Sequence, residues 1–277
     1  MLQQWCCIGN LDIMQRLYCL CSMLYLQFMA ILLGVKHMKN INTYSLFDDD
    51  AIKTITPLSS QGYCNKNYLI RTEKTQYILR EFLRQDIDRP QEYNIHIQAY
   101  KKGISSQIYI FTKTFMVSAF LEGIHKSKLN NKDVILLAKT IKKLHSIKTN
   151  AAPIDLQIKN KTDAVIRAFN TINSYPKEYV LCHNDLNPQN IFFPNKEIES
   201  ANHHNIYPVK LIDFEYAGIN DRYFDLACVC VEFGLEDEML EVFLQTYFND
   251  TYYHLEKLNA YKVIYKALCE AWFQDNL

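Results

Sequence analysis

The sequence predicts an α+β chain of two lobes, a small antiparallel-sheet lobe with one helix followed by a larger, mainly helical lobe. Three observations carry that expectation. Short β-branched and aromatic runs fill the stretch from Ile52 to about Phe120, with one helical pattern among them. After Gly123, apolar residues recur at helical spacing instead. Within the helical half, "LCHNDLNPQNIFF" (Leu181–Phe193) sets six polar side chains between apolar flanks, an arrangement that is costly unless those groups are bonded or used.

The elements follow in order. "NYLIRT" and "TQYILREF" are strand-like runs separated by the turn-like "EK", which predicts a hairpin. In "DRPQEYNIHIQAYKKG", Asp88 can cap a helix, Pro90 suits its first turn, and Gly103 can close it. "SQIYIF" and "FMVSAFLEG" return to the strand pattern. "NKDVILLAKTIKKLHSI" then places Val134, Leu137, Ala138, Ile141 and Leu144 on one helical stripe. "TDAVIRAFNTI", "DLACVCVEFG", "EDEMLEVFLQTYF" and "EKLNAYKVIYKALCEAWF" read as further helices, interrupted by the polar stretch and by "VKLIDFEYAG". The expected division is an amino-terminal lobe over 38–121 and a catalytic and substrate lobe over 122–277, with no repeat and no low-complexity linker.

Residues 1–37 stand apart. Leu17–Val35 carries no charge and follows Arg16, so a signal anchor is one reading. Gln27 near its middle, the lack of a small-residue cleavage site, and four Cys before Met38 favour the other, a non-functional extension ahead of a chain that begins near Met38. Composition sets the class of partner. At 277 residues, 49% apolar, 22% charged and net charge +0, the chain has ample core and no basic field for nucleic acid. Its nine Cys lack zinc-site spacing, which predicts reduced structural thiols and a cytoplasmic location. No membrane contact is expected unless 17–35 is an anchor, and oligomeric state is left open.

Two apolar runs stop at carboxylates, Asp185 and Asp213, and Glu215 follows two positions later. If the flanking strands pair, Asp185, Asn190 and Asp213 converge, giving hard oxygen ligands suited to Mg²⁺ and therefore phosphoryl transfer. A pair of capped turns is the alternative for the three taken together, and singly each is unremarkable.

The pattern D-x-x-x-x-N followed by Asp-Phe is similar to the catalytic and metal-binding loops of the protein-kinase-like fold. "CHNDLNPQNIFF" and "LIDFEYAGINDRYFDLACVCVEF" resemble the phosphotransferase motifs of choline and ethanolamine kinases, a family related to aminoglycoside phosphotransferases. "SSQGYCNKNYLIRTEKTQYILR" resembles the family's nucleotide-covering hairpin, although Gly62 is its only glycine. The resemblance implies ATP and Mg²⁺ as cofactors and a small amino alcohol, choline first, as substrate. Ethanolamine, thiamine, an aminoglycoside, or an inactive truncated protein are the alternatives.

It further implies Asp185 as catalytic base and Asn190 and Asp213 as metal ligands. Arg80 grips nucleotide phosphates with Glu92 as its partner, and Ser118 to Glu122, including Phe120, forms the hinge that meets adenine. Asp225 resembles the buried Asp that steadies the catalytic loop. Glu215 supports metal or substrate, and Tyr216, Glu232 and Trp272 supply the acid and aromatic faces a quaternary ammonium needs. The chain stops at Leu277, where family members continue with more aromatics, so the expected cage is incomplete. His145, beside Leu144, reads as structural, and His203 with His204 as an exposed loop pair.

Overall fold

The computed structural model describes residues 41–59, 64–151, 153–159, 161–195 and 209–276. The stretch 1–37, Gly62, and His203 with His204 lie outside them. The fold is α+β and two-lobed, with an antiparallel sheet of five strands and six α-helices among the described residues. The sheet comprises β1 (Ile52–Pro57), β2 (Asn65–Thr72), β3 (Gln76–Phe82), β4 (Ile108–Phe111) and β5 (Phe115–Ala119), hydrogen-bonded in the order β1-β2-β3-β5-β4. The hairpin expected from "NYLIRT" and "TQYILREF" is β2–β3, and Thr72 closes its turn by donating its N–H to Thr75 O at 3.0 Å.

The helix between β3 and β4 is α1 (Arg89–Lys101), and its ends are those the sequence announces. Asp88 Oδ1 accepts from Gln91 N at 2.9 Å, satisfying a first-turn donor. Gly103 adopts φ 74°, and Ile104 N returns to Ala99 O at 3.0 Å. The helical lobe contains α2 (Asn131–His145), α3 (Asp163–Asn173), α4 (Arg222–Glu232), α5 (Asp237–Phe248) and α6 (Leu255–Asn276). In α2 the predicted stripe is the buried face, with Val134, Leu137, Ala138, Ile141 and Leu144 at 0% exposure. Each such Val or Leu contributes roughly 1.5–3 kcal/mol by leaving water. A capping box starts this helix: Asn130 Oδ1 accepts from Asp133 N at 3.0 Å, and Asp133 Oδ2 accepts from Asn130 N at 3.2 Å.

Four short strands carry the polar stretch. β6 (Tyr179–Cys182) pairs antiparallel with β9 (Gly218–Asp221), and β7 (Ile191–Phe192) pairs antiparallel with β8 (Lys210–Leu211). Only two residues of "VKLID" are strand, and β9 had no strand signal, because "GIND" shows no apolar alternation. Gly123 lies where the chain passes Phe193, and a Cβ there would meet Phe193 O at 2.8 Å. That closeness lets Ile124 and Phe193 form an antiparallel bridge.

By compactness the chain resolves into two units. One ends at Ile55 and takes in Ile70–Thr75; in it Asp50 accepts from Thr72 Oγ1 at 2.6 Å and from Lys74 N at 2.9 Å. The other comprises Thr56–Leu69 and Gln76–Leu277 and contains every site residue discussed below. Among the described residues no helix is long and apolar enough to cross a membrane.

Candidate active site

The polar stretch is built on a turn that ordinary side chains resist. Asn184 sits at φ 65°, a left-handed conformation that Asn tolerates better than most residues because its short amide can bond locally. Here Asn184 Nδ2 donates to Tyr216 O at 2.9 Å and Oδ1 accepts from Asn220 Nδ2 at 2.9 Å. Beneath the turn, fully buried Asp225 accepts from His183 N at 2.8 Å, Asn184 N at 2.9 Å and His145 Nε2 at 3.0 Å. His145 Nδ1 lies 2.7 Å from the Tyr247 hydroxyl, so it is a buried structural bridge. His183 Nε2 donates to Ile212 O at 2.8 Å, linking the turn to the segment that ends at Asp213.

The turn delivers Asp185 half-buried and aimed. Its Oδ1 accepts from Asn187 Nδ2 at 2.9 Å and its Oδ2 from Asn190 Nδ2 at 2.8 Å. Asn190 Nδ2 also reaches Asp185 O at 3.0 Å, which commits the amide nitrogen to the loop and leaves Asn190 Oδ1 as the acceptor facing away from it. Asn187 in addition caps the turn Pro188–Asn190, accepting from Gln189 N at 2.9 Å. Thus the polar side chains of the stretch are mostly bonded to one another or to backbone.

The β7–β8 register brings the second carboxylate to the same end. Ile191 faces Leu211, and Ile212 N donates to Asn190 O at 3.0 Å, so Asn190 and Asp213 flank one strand end, although the run that ends before Asp185 pairs with β9 and not, as the sequence suggested, with the run that ends at Asp213. Asp213 is also left-handed, at φ 66°. Phe214 behind it is held between two imidazoles, with ring centroids 5.2 Å from His96 and 5.0 Å from His183. His96 Nε2 bonds Ser106 O at 2.9 Å, and burial pushes its imidazole down to about 4.

Arg80, buried on β3, donates to Asp213 Oδ1 and to Glu92 Oε1, the latter at 3.3 Å, so the expected partner is in place. Its Nη2 is also 3.6 Å from Glu215 Oε2. Burial disfavours its charge, but Asp213, Glu92 and Glu215 outweigh that and hold it more firmly protonated than a free guanidinium. Glu215 is 5% exposed at its side chain and accepts from Asn65 Nδ2 at 2.9 Å and Arg89 Nη1 at 3.4 Å. Burial, and next the charge of Asp213, push its carboxyl up despite Arg80.

The remaining predicted residues have partners of their own. Tyr216 turns its hydroxyl toward Cys64 Sγ at 3.6 Å, and burial followed by that contact raises its pKa. Glu232 Oε1 accepts from Tyr265 OH at 2.7 Å. Trp272 is partly buried on α6. Ser118 is a buried β5 residue in register with Ile78 and Ile108, while Phe120 just beyond is 39% exposed and donates its N–H to Gln76 O at 3.4 Å. A groove of about 750 Å³ between α1 and residues 148–151, lined by Gln91, Asn94, Lys101 and Lys148, lies apart from this chemistry.

Sequence reading missed Arg89, Asn65 and His96. For Arg89 one signal existed: it is three residues before Glu92 on a helix, the spacing of an ion pair. The donor set fits a magnesium–nucleotide complex. Asp213 and Asn190 Oδ1 are hard oxygens at one strand end, Asp213 retains 25% side-chain exposure, and Arg80 stands beside them with its Nε buried and unpaired.

Comparison with known proteins agrees with this geometry. Residues 155–257 match the family described as choline/ethanolamine kinase. Protein LicA of Haemophilus influenzae is 36% identical over 94 residues, a stretch covering 33% of this chain and 30% of that relative's length. Among solved structures, choline kinase LicA from Streptococcus pneumoniae superposes with TM-score 0.69 at 21% identity, over 86% of this chain and 90% of the other. A Plasmodium vivax ethanolamine kinase does so with TM-score 0.62 at 18% identity, over 79% and 75%. The segment that matches the choline/ethanolamine kinase family, residues 155–257, carries Asp185, Asn190 and Asp213.

Proposed function

We propose that the protein transfers the γ-phosphoryl group of ATP to the hydroxyl of a small amino alcohol, with choline the first acceptor to test. The observation that carries this reading is the orientation of Asp185. Two amides fix its carboxylate, and a turn anchored on Asp225 presents it beside the Asn190–Asp213 strand end. Asp185 would accept the hydroxyl proton as the acceptor oxygen bonds phosphorus and the bond to the ADP oxygen breaks. Asn190 and Asp213 would hold Mg²⁺, which when bound neutralises phosphate charge. Arg80 would bind phosphate oxygens through its planar fork, and Glu92 orients that fork. In the same reading the backbone from Ser118 past Phe120 meets adenine, a lobe boundary falls at 121/122, and the protein works in the cytoplasm where ATP is available.

The amine end of the acceptor is assigned to Glu232 and Trp272. A second reading comes from the same place. The Glu232 carboxylate, oriented by Tyr265, suits an amine that can donate N–H. That favours ethanolamine among the alternatives, since a quaternary ammonium has no N–H to give.

The test is ADP release from Mg-ATP with choline, ethanolamine, thiamine and kanamycin, using Asp185→Asn as control. Acceptor-dependent turnover that falls at least about a hundredfold in Asp185→Asn is expected. Near-normal turnover in that variant would remove Asp185 from the role, and preference for ethanolamine over choline would select the second reading.

A further inference from the structure

Around Arg80 the structure holds a second guanidinium that the phosphotransfer chemistry does not require. Arg89, at the start of α1, is 7% exposed and packs its guanidinium 4.1 Å over the Phe82 ring. Its Nη1 donates to Glu92 Oε2 at 2.6 Å and to Glu215 Oε2 at 3.4 Å, and its Nη2 donates to Asn65 Oδ1 at 3.2 Å. Asn65, 2% exposed at the start of β2, completes the ring by donating Nδ2 to Glu215 Oε2 at 2.9 Å. Arg80 and Arg89 therefore face the same two carboxylates, Glu92 and Glu215, and only Arg80 reaches the third, Asp213.

That sharing has a consequence for nucleotide binding. Two guanidinium groups face three carboxylates here, and buried carboxylates left without a cation are costly. With Arg89 in place, Glu92 and Glu215 stay compensated when Arg80 gives up Asp213 to take a phosphate oxygen. Without it, Arg80 is the sole cation for both among the described residues and is drawn back from the ligand. We propose that Arg89, braced by Asn65, is a positioning residue for phosphoryl transfer that frees Arg80 to bind the nucleotide. This rests on the reading of Arg80 and Asp213 as nucleotide- and metal-binding groups.

The measurement is Mg-ADP affinity by calorimetry on the full chain, below its unfolding temperature, for wild type, Arg89→Met, Arg89→Lys and Arg89→Met/Glu215→Gln. Arg89→Met is expected to weaken Mg-ADP on the order of tenfold, one charge-assisted contact's worth. The double variant, which removes one negative charge along with the positive one, is expected to recover most of that loss. Arg89→Lys keeps the charge without the fork; it is expected to fold even where Arg89→Met does not and to weaken binding severalfold. In steady state the KM for ATP should rise while the KM for the acceptor holds. A purely structural Arg89 would lower the melting temperature and leave the affinity of the folded protein unchanged. Equal Mg-ADP affinity in wild type and Arg89→Lys, or a loss that Glu215→Gln does not recover, overturns the proposal. Wild type that does not bind Mg-ADP at all sinks the nucleotide reading itself, a distinguishable outcome.

Discussion

Single residues in this site are chosen for backbone geometry as much as for chemistry. Asn184 occupies a left-handed conformation and uses both ends of its amide, toward Tyr216 O and from Asn220, to hold it. Alanine there keeps neither the bonds nor the tolerance, and the left-handed backbone alone costs about 1–2 kcal/mol for an ordinary residue. Asn184→Ala is expected to lower the urea unfolding midpoint by that order and to reduce turnover. Asn184→Gly should recover most of the stability but not the turnover, because the turn that aims Asp185 loses its two amide bonds. Equal midpoints for the alanine variant and wild type would show the conformation to be unconstrained.

Secondary elements act through their ends. Helix α2 starts with a reciprocal cap between Asn130 and Asp133, and Lys126 Nζ adds a contact to Asp133 at 2.6 Å. Asn130→Ala removes one side of that exchange and is expected to cost about 1 kcal/mol, read as a lower unfolding midpoint with nucleotide affinity unchanged. At the far end of the same helix, His145 carries the effect of packing into the site through Asp225. Helix α1 differs, since its first turn holds Arg89 and Glu92 and its middle holds His96 against Phe214. Movement of α1 would therefore be felt at Arg80 and Asp213 together. Helix α6 is fixed by Lys257, whose Nζ reaches Asp221 at 2.8 Å, Pro176 O at 2.9 Å and Glu178 at 3.1 Å.

At the scale of the whole molecule, the buried imidazole of His96 predicts a pH dependence of stability. It bonds Ser106 O and lies close to the Ser105 hydroxyl, and its Nδ1 is buried without a partner. Burial pushes it to about 4, below the ordinary 6.5, so the unfolded chain takes up that proton first. The stabilisation is complete above pH 6.5, is lost as pH falls from there toward 4, and does not change further below. Its full extent is on the order of 3 kcal/mol. Urea midpoints at pH 7.5 and 5 should fall further for wild type than for His96→Leu, and parallel curves would assign the acid sensitivity elsewhere.

Much of the molecule was legible along the chain. Asp88 and Gly103 bounded α1, the stripe from Val134 to Leu144 gave the buried face of α2, and the polar residues between apolar flanks marked the loop that holds Asp185 and Asn190. These are local signals, in which periodicity, caps and apolar runs are set by neighbours within a few turns. Only tertiary structure decided that β6 pairs with β9 and that Tyr216 turns toward Cys64. It also set Asn65 and Arg89 against Glu215, residues 150 and 126 positions away in sequence. No local pattern encodes such contacts, because they depend on which surfaces the folded chain brings together and on buried charges finding partners once water has left.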